Sequence, residues 1–295
     1  MLWAEGFIAV DWGTTNRRAW RLAADGSVLD EMEDGRGILA VGDGGFEGAV
    51  AQVRERLGEL PMLLAGMIGS NRGWVEVPYV PCPAGFDELA ANLSWVEPGW
   101  TAIVAGVAWE SGGAADVMRG EEVQLLGAYA EGWIPADGGV CHPGTHNKWV
   151  RLEEGRIAAF RTVITGELFN LLKTHSILAD LLAGSVAVGD AFDRGVRHGL
   201  EESDLTAELF SVRARTLLGK APREEAASYV SGLLIGSDVR IGLGFVGEGE
   251  IVAMGRPDLC RLFCRALEIA GRSSGETEGE AAFLAGIRHL AELVQ

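Results

Sequence analysis

A strand–turn–strand pattern occurs twice in this 295-residue sequence, and this repeat restricts the fold more than any other feature. The first copy, DWGTTNRRAWRLAADGSV, begins at Asp11, and the second, HPGTHNKWVRLEEGRI, begins at His142. When the glycines are aligned, GTTNR faces GTHNK, and after a one-residue gap Arg21-Leu22 faces Arg151-Leu152. Both copies then reach a hairpin turn that contains glycine. The repeat favours an internal duplication and therefore two related lobes.

Strand-type and helix-type patterns are mixed along the rest of the chain. FIAVDW and PMLLAGM predict buried strands, whereas ELFNLLKTHSILADLLA and REEAASYVSGLLIGSDVRIGL predict helices. Strands mixed with helices in both halves place the chain in the α/β class. We predict an N-terminal lobe of residues 1–136 and a C-terminal lobe of residues 137–295, with the last helix packing back on the N-terminal lobe.

The charge and the apolar pattern exclude two classes of partner. A formal net charge of −17 argues against nucleic acid, because phosphate backbones are bound by surplus lysine and arginine. No apolar run approaches the roughly 20 residues that span a bilayer, and the N-terminus lacks the basic start of a signal peptide. We therefore expect a cytoplasmic protein that does not bind membranes. A homodimer is compatible with the sequence but is not indicated by it.

The four cysteines fit a reducing compartment, since they form no CxxC pair in a long chain with a large core. Cys260 and Cys264 lie one helical turn apart, a spacing that suits a redox pair or half of a metal site. The simpler interpretation, which we favour, is two thiols on one face of a helix.

The repeated Gly-Thr turn is the first candidate site. A sharp bend between two strands presents backbone N–H groups and hydroxyls, which suits phosphate oxygens. Two such turns on facing lobes would hold the β- and γ-phosphates of ATP from both sides. Asp11 ends the first strand and is a candidate Mg²⁺ ligand, and Arg17, Arg18 and Lys148 supply positive charge. The alternative is a pair of ordinary hairpins with arginine facing solvent.

A second candidate is MRGEEVQLLGA, in which Arg119, Glu121 and Glu122 precede or begin a helix. Phosphoryl transfer to a hydroxyl benefits from a carboxylate that accepts the departing proton. Acidic residues in the first turn of a helix also interact favourably with its dipole, so a purely structural role is the alternative.

Two further segments suit substrate recognition. Ser70, Asn71 and Arg72 follow an apolar strand, where small polar groups can contact hydroxyls. A strand-to-helix turn carries three more candidates, which are Arg161, Thr165 and Glu167. Thr165 could simply cap the helix, whereas the planar guanidinium of Arg161 matches a carboxylate or a phosphate.

Two apparent motifs lack the context that they require. Gly242, Gly244 and Gly247 spell GxGxxG, but no strand precedes them and no helix follows. His142 and His146 have a spacing seen in zinc sites, yet the proline and glycine between them make a shared helical face unfavourable. No P-loop sequence is present.

Taken together, these segments resemble the 2-dehydro-3-deoxygalactonokinases, also called 2-keto-3-deoxygalactonate kinases. The segments that carry the resemblance occur in order over nearly the whole chain, and they are AVDWGTTNRRAW, LLAGMIGSNRGW, VMRGEEVQLLGA, PGTHNKWV, FRTVITGEL, VRARTLLG with PREEAASYVSGLLIG, and AFLAGIR. The resemblance implies a two-lobed actin-like ATPase fold of duplicated ribonuclease H-like lobes with a cleft between them. It also implies transfer of the ATP γ-phosphate to the 6-hydroxyl of 2-dehydro-3-deoxy-D-galactonate, with Mg²⁺.

The resemblance also implies roles for individual residues. Asp11 is the metal-side carboxylate, and His142 stands where the second motif often has a carboxylate. GEEVQLLG is similar to the Glu-Glu stretch of exopolyphosphatases, which makes Glu122 the first choice of general base and Glu121 the second. Gly255 lies where an adenosine-contacting loop would fall, although GRPDLC matches weakly there. The expected phosphate-binding residues are Gly13, Thr14, Thr15, Asn16, Arg17, Gly144, Thr145 and His146.

The expected mechanism is closure of the lobes around MgATP and the sugar acid, with Arg161, Arg119 or Arg72 holding the substrate carboxylate. Two other functions would use the same turns. An exopolyphosphatase-like phosphohydrolase would release phosphate without a sugar, and a non-catalytic ATPase module would bind protein in response to nucleotide. The sequence does not distinguish the galactonate-derived acid from its gluconate-derived epimer.

Overall fold

The computed structural model describes residues 3, 5–42 and 44–294, and it mixes strands and helices in both halves of the chain, as predicted. The strands are β1 (Phe7–Trp12), β2 (Arg17–Leu22), β3 (Val28–Asp34), β4 (Met62–Gly66), β5 (Val80–Pro81), β6 (Ser94–Glu97), β7 (Thr101–Ile103), β8 (Val107–Ser111), β9 (Ala114–Met118), β10 (Gly138–His142), β11 (Asn147–Glu153), β12 (Arg156–Val163), β13 (Ile251–Gly255) and β14 (Ser274–Glu278). The helices are α1 (Phe46–Leu57), α2 (Phe86–Ala91), α3 (Glu121–Ala130), α4 (Thr165–His175), α5 (Asp190–Glu201), α6 (Leu205–Leu217), α7 (Ala226–Val246), α8 (Pro257–Ile269) and α9 (Gly279–Leu293).

The first sheet has the strand order β3-β2-β1-β4-β7-β6. β1, β4 and β7 are parallel, and β2 and β3 form an antiparallel meander beside them. Every residue of β4 is buried, as expected for a central parallel strand that is covered on both faces. At the carboxyl end of the parallel strands, Trp12 lies beside Gly66. This edge is where an open α/β sheet usually binds its ligand.

The second sheet has the order β12-β11-β10-β13-β14. Its β10 and β11 form an antiparallel hairpin, and β13 and β14 run parallel to β10. The same order and the same hairpin and parallel pairings occur in β3-β2-β1-β4-β7 of the first sheet. The duplication predicted from the repeat is therefore confirmed. A third, smaller sheet has the order β5-β8-β9.

The registers of the hairpins β1–β2 and β10–β11 show where the second copy of the repeat lacks one residue. Asp11 lies opposite Arg18, and His142 lies opposite Lys148. The second loop is one residue shorter, since residues 143–147 replace residues 12–17 between the paired positions. Lys148 is therefore the counterpart of Arg18. The glycine alignment, which placed Lys148 opposite Arg17, is wrong at this point.

The chain divides into two compact units, each of which packs mainly on itself. Unit 1 comprises Met1–Ala136, Glu153–Ala159 and Gly279–Gln295. Within it α9 packs on α3, where glycines allow the two backbones to touch. A Cβ atom on Gly127 would lie 2.1 Å from the carbonyl oxygen of Ala282, and one on Gly286 would lie 2.1 Å from that of Val123. This packing fixes α3, whose first turn carries the acidic pair.

Unit 2 comprises Asp137–Leu152 and Phe160–Glu278, and the long helix α7 lies at its core. Gly232 and Gly236 of α7 pack against the backbone of α5 so closely that added Cβ atoms would lie 2.2 and 2.3 Å from the α5 carbonyl oxygens. Because backbones can approach this closely only where side chains are absent, the glycines set the position of α7 against α5.

Helix α7 corrects the expectation that no apolar segment is long enough to span a bilayer. The segment Arg223–Val246 is long and apolar enough to cross a membrane by length and composition, and 67% of its apolar window is buried inside the protein. Such burial is typical of a core helix. Gly242 and Gly244 also lie in this helix, and a Cβ on Gly242 would collide with the indole of Trp149. The GxGxxG sequence thus lies at the end of a helix rather than in a nucleotide loop, and Gly242 is required for packing against Trp149.

The four cysteines are free thiols. Burial raises the pKa of Cys260 to about 12 and also raises the pKa of Cys264. Because the thiolate is the reactive form, the raised pKa values lower the reactivity of both thiols at neutral pH. Among the described residues, no group of three or more His, Cys, Asp or Glu side chains is arranged to hold a metal ion.

Candidate active site

The first turn, residues 13–16, is held from behind by the segment 37–39. The N–H groups of Gly37, Ile38 and Leu39 donate to the carbonyl oxygens of Thr15, Gly13 and Thr14, at 3.0, 3.1 and 3.2 Å. Gly37 is required at this contact, since a Cβ there would lie 2.4 Å from the backbone of the turn. The inward carbonyls are thereby satisfied, and the side chains of Thr14, Thr15 and Asn16 are exposed. The turn presents hydroxyls and an amide on its outer face.

Arg17 does not contribute to that outer face. Its side chain is 1% exposed, donates to both carboxylate oxygens of Asp34 at 3.3 and 2.6 Å, and donates to the carbonyl oxygen of Ala49 at 2.9 Å. The guanidinium also lies 4.8 Å from the ring centre of Trp12. The expected phosphate-binding role of Arg17 does not match this geometry, which instead anchors the start of β2.

Arg18 reaches the carboxylate of Asp11. Its Nη2 donates to Oδ2 of Asp11 at 2.8 Å, and its Nη1 donates to Glu280 of α9 at 3.1 Å. Burial raises the pKa of Asp11, the ion pair with Arg18 opposes that rise, and the charge of Glu121 adds to it. The charge of Glu121 therefore acts on Asp11.

Two glycines bring the start of α3 to the end of the sheet. Gly66 ends β4 with φ +89°, and a Cβ there would lie 2.8 Å from the carbonyl oxygen of Trp12 and 3.5 Å from Oδ1 of Asp11. Gly120 has φ +110°, and a Cβ on it would lie 3.2 Å from the Cα of Gly66. Positive φ and this close approach favour glycine at both positions. The result places the first turn of α3 beside Asp11.

Glu122 is the most buried acid of this cluster. It is fully buried, and both of its carboxylate oxygens accept the N–H of Gly120, at 2.8 and 2.7 Å. Burial, and to a smaller extent the charge of Glu121, raises the pKa of Glu122 to about 8, while Gly120 and Arg119 act in the opposite direction. Glu121 is half-buried and accepts the N–H of Arg119 at 3.1 Å. A carboxyl group that titrates near neutral pH is suited to proton transfer.

Arg119 is buried beside this pair. Its Nη2 donates to the carbonyl oxygen of Val77 at 2.6 Å, and its guanidinium stacks 4.3 Å from the ring centre of Tyr79. Its Nε and Nη1 atoms are buried without a hydrogen-bond partner in the described part of the chain. A Cβ on Gly69 would lie 2.8 Å from Nη1, which explains the glycine before Ser70. Such unpaired N–H groups on a buried cation are costly unless an anion or a water pairs with them.

The segment after β4 holds three predicted substrate residues at different depths. Ser70 is buried and donates its hydroxyl to the carbonyl oxygen of Met67 at 2.7 Å. Asn71 and Arg72 are exposed, and the N–H of Arg72 donates to the Ser70 hydroxyl at 3.3 Å. Ser70 shapes this loop, and the exposed side chains of Asn71 and Arg72 are the ones available to a ligand.

The second turn, residues 143–146, is joined to the start of α4. The N–H of Glu167 donates to the carbonyl oxygen of Thr145 at 2.9 Å, and the Glu167 carboxylate contacts Nε2 of His146 at 2.6 Å. Gly166 lies so close that a Cβ would be 2.4 Å from the carbonyl oxygen of Gly144. Thr145 and His146 are exposed. Glu167, expected to bind substrate, therefore supports the second turn.

Asp238, which no sequence pattern singled out, connects the elements around this turn. It is 1% exposed and accepts the side-chain N–H groups of Asn147 at 2.9 Å and Trp149 at 2.7 Å. Its other oxygen accepts the hydroxyl of Thr165 at 2.5 Å. Burial raises the pKa of Asp238 to about 6, against the three hydrogen bonds. The only sequence signal was an aspartate within an otherwise apolar helical pattern.

The remaining predicted residues are Arg161 and Gly255. Arg161 is exposed near the end of β12. Gly255 ends β13 with φ +150°, and a Cβ there would lie 3.3 Å from the carbonyl oxygen of Pro143. Gly255 therefore borders the second turn, at the carboxyl end of the second set of parallel strands.

Comparison with known proteins agrees with the sequence resemblance. The profile of the 2-keto-3-deoxy-galactonokinase family matches residues 11–290. The chain is 36% identical to the 2-dehydro-3-deoxygalactonokinase of Escherichia coli K12 over 292 residues, which cover 98% of each protein.

Solved structures give the same result for the fold. A Sinorhizobium meliloti protein for which 2-dehydro-3-deoxygalactonokinase activity is proposed superposes with a TM-score of 0.91 at 34% identity, over 98% of this chain and 99% of that one. Component A of (R)-2-hydroxyglutaryl-CoA dehydratase from Acidaminococcus fermentans superposes with a TM-score of 0.52 at 13% identity, over 98% and 99% of the two chains, and supports the fold alone. The fold is that of the actin-like ATPases, as the resemblance implied, and the chain belongs to the 2-keto-3-deoxy-galactonokinase family.

Proposed function

We propose that this protein transfers the γ-phosphoryl group of ATP to the 6-hydroxyl of 2-dehydro-3-deoxy-D-galactonate, giving ADP, the 6-phosphate ester and a proton, and that it does so in the cytoplasm. The observation that carries the chemistry is the group of acids at one end of the first sheet. Asp11, Glu121 and the buried Glu122 converge beside the first turn through the close approach of Gly66 and Gly120.

Glu122 is the proposed general base. Its carboxylate would accept the proton of the sugar hydroxyl as the oxygen attacks the γ-phosphorus, and the terminal phosphate bond to ADP breaks. The pKa of about 8 makes Glu122 a stronger base than an ordinary glutamate once it is ionised. Glu121 is half-buried and accepts the backbone N–H of Arg119. Its proposed role is to raise the pKa of Glu122 through its charge, rather than to act as the base itself.

Asp11 is the proposed carboxylate for Mg²⁺. Kinases bind this ion through one or two carboxylates and the nucleotide phosphates, and Asp11, beside Gly66 at the end of the first sheet, would provide one such carboxylate. When bound, the ion supplies positive charge to the phosphates. Arg18 neutralises Asp11 in this structure and is placed to contact phosphate oxygens when a cation occupies the carboxylate.

Arg119 is the proposed partner of the substrate carboxylate. Of the three arginines considered, Arg72 and Arg161 are exposed, whereas Arg119 is buried with two unpartnered nitrogens next to Glu121 and Glu122. An anion at this position would satisfy a guanidinium that is otherwise incompletely paired. Lysine would keep the charge but lose the stacking on Tyr79.

The two turns are the proposed phosphate-binding elements of their units. Thr14, Thr15 and Asn16 present exposed polar groups in unit 1, and Thr145 and His146 do so in unit 2. Gly255, beside the second turn, is the proposed adenosine-side position.

The test is an ADP-release assay with MgATP and 2-dehydro-3-deoxygalactonate, its gluconate-derived epimer, or no sugar. The proposal predicts release that depends on the galactonate-derived acid and that falls by more than about 100-fold in Glu122→Gln. Equal release without any sugar would contradict it and favour a phosphohydrolase. No release under any condition, with nucleotide binding retained, would favour a binding module.

A further inference from the structure

We infer that Asp238 is a positioning residue for the second phosphate-binding turn, and that it acts by fixing both chain segments that hold the turn. This inference rests on the proposed function, because it assigns the turn to ATP. Asp238 lies in the middle of α7, and both of its carboxylate oxygens accept hydrogen bonds from side chains of the protein, so its proposed role is exerted through those side chains.

The first segment that Asp238 fixes is the strand that leaves the turn. Asn147 follows the turn directly and is fully buried, with its amide nitrogen on Oδ1 of Asp238. The thiol of Cys141 contacts the other end of the same amide at 3.5 Å, which sets the amide orientation. Two residues further along β11, the indole N–H of Trp149 reaches the same carboxylate oxygen.

The second segment is the start of α4. Thr165 is its first residue, is buried, and donates its hydroxyl to Oδ2 of Asp238. The next residues, Gly166 and Glu167, are those that contact the backbone and His146 of the turn. The position of Thr165 therefore determines where these contacts fall. Asp238 thus links the exit of the turn to the helix that supports it.

Burying the Asp238 carboxylate costs free energy, so it does not simply stabilise the fold. Its three side-chain hydrogen-bond donors are all neutral, and none of them compensates the buried negative charge. Uncharged side chains often replace buried charges with no loss of stability. A negatively charged acceptor does, however, orient several donors at once, which preorganises a loop for binding.

The first hairpin contains a parallel arrangement. Arg17 occupies the position that corresponds to Asn147, is also fully buried, and is also tied to an aspartate outside its hairpin, Asp34. Each copy of the repeat therefore begins its return strand with a buried polar residue that is anchored on a carboxylate. In the first hairpin the carboxylate comes from the adjacent strand, since Asp34 lies on β3 directly opposite Arg17.

The test compares Asp238→Asn, Thr165→Val and Thr165→Ser with a matched control, Asp193→Asn. Asp193 is a second buried carboxylate of unit 2, but it pairs with Arg265 on α8 and not with the turn. For each variant the KM values for ATP and for the sugar acid, the dissociation constant of a non-hydrolysable ATP analogue, and the Tm are measured.

We expect Asp238→Asn and Thr165→Val to weaken ATP and analogue binding by about 10-fold, which corresponds to about 1.4 kcal/mol, with the KM for the acid changed less than about twofold. Thr165→Ser keeps the hydroxyl and should bind ATP like the parent protein. Asp193→Asn should lower the Tm without changing the KM for ATP.

Equal loss for ATP and acid, or a lowered Tm with unchanged ATP binding, would overturn the inference. If Asp238→Asn does not fold, Thr165→Val and Thr165→Ser decide the matter, because they retain the carboxylate. The analogue measurement separates the two claims. A parent protein that binds the analogue but phosphorylates no acid would refute the proposed function. The dissociation constants of the analogue for the variants would then still test the positioning role of Asp238.

Discussion

Glu122→Gln should inactivate the enzyme and, at neutral pH, stabilise its fold. Glu122 has its pKa raised to about 8 by burial, whereas an unfolded glutamate has its ordinary value of 4.5. Between these values the folded state binds the proton more strongly than the unfolded state does, so the stability that Glu122 contributes falls as the pH rises. Glutamine cannot ionise and does not incur this cost.

The size of the effect follows from the two pKa values. Each pKa unit corresponds to about 1.4 kcal/mol, so the cost of Glu122 is below about 1 kcal/mol at pH 5 and reaches about 3 kcal/mol at pH 7. Any hydrogen bond to Gly120 that glutamine loses would reduce the gain, but by a similar amount at both pH values. The difference between the two pH values therefore isolates the charge.

The assay is urea unfolding of the parent protein and of Glu122→Gln at pH 5 and pH 7, with Glu131→Gln, at an exposed glutamate that follows the same helix, as the control. We expect the variant to gain about 2 kcal/mol relative to the parent between pH 5 and pH 7. A pH-independent difference would refute the argument that burial raises the pKa of Glu122. In the active protein, kcat/KM should rise with pH until about pH 8.

Three further predictions concern packing and thiol chemistry. Gly66→Ala should lower the free energy of unfolding in urea by about 1–3 kcal/mol, because φ is +89° and the new Cβ would meet the backbone of Trp12; an unchanged midpoint would contradict the strain argument. Gly127→Ala should lower the Tm through a similar loss of about 1–3 kcal/mol, since α9 must move away from α3, and a Tm equal to that of the parent would refute the close packing. Cys260→Ser should leave kcat within about twofold, and the native thiol should resist iodoacetamide at pH 7.5; rapid labelling would show that the thiol is less buried than described.

Local pattern was sufficient for much of the fold. Apolar runs such as FIAVDW and PMLLAGM predicted β1 and β4. The repeat predicted an internal duplication, and the two sheets share their strand order. β14 was missed because its sequence, SGETE, is polar and lies at the edge of the sheet, where burial imposes no apolar pattern.

The candidate site was predictable in part. Asp11 and Glu122 each lie within a recognisable sequence motif, so both could be proposed as site residues directly from the sequence. Arg17 could not be told from Arg18, because strand register decides which of two adjacent arginines is buried. Asp238 lies 89 residues from Trp149, so its contacts follow from tertiary packing alone.

The central claim is that one phosphoryl group passes from ATP to a specific hydroxyl of a sugar acid. Phosphorus NMR of a reaction with MgATP and 2-dehydro-3-deoxygalactonate tests this claim most directly. We predict loss of the γ-phosphate signal, appearance of ADP, and one phosphomonoester signal split by the two protons of a primary carbon. Accumulation of inorganic phosphate in place of the ester would contradict the account.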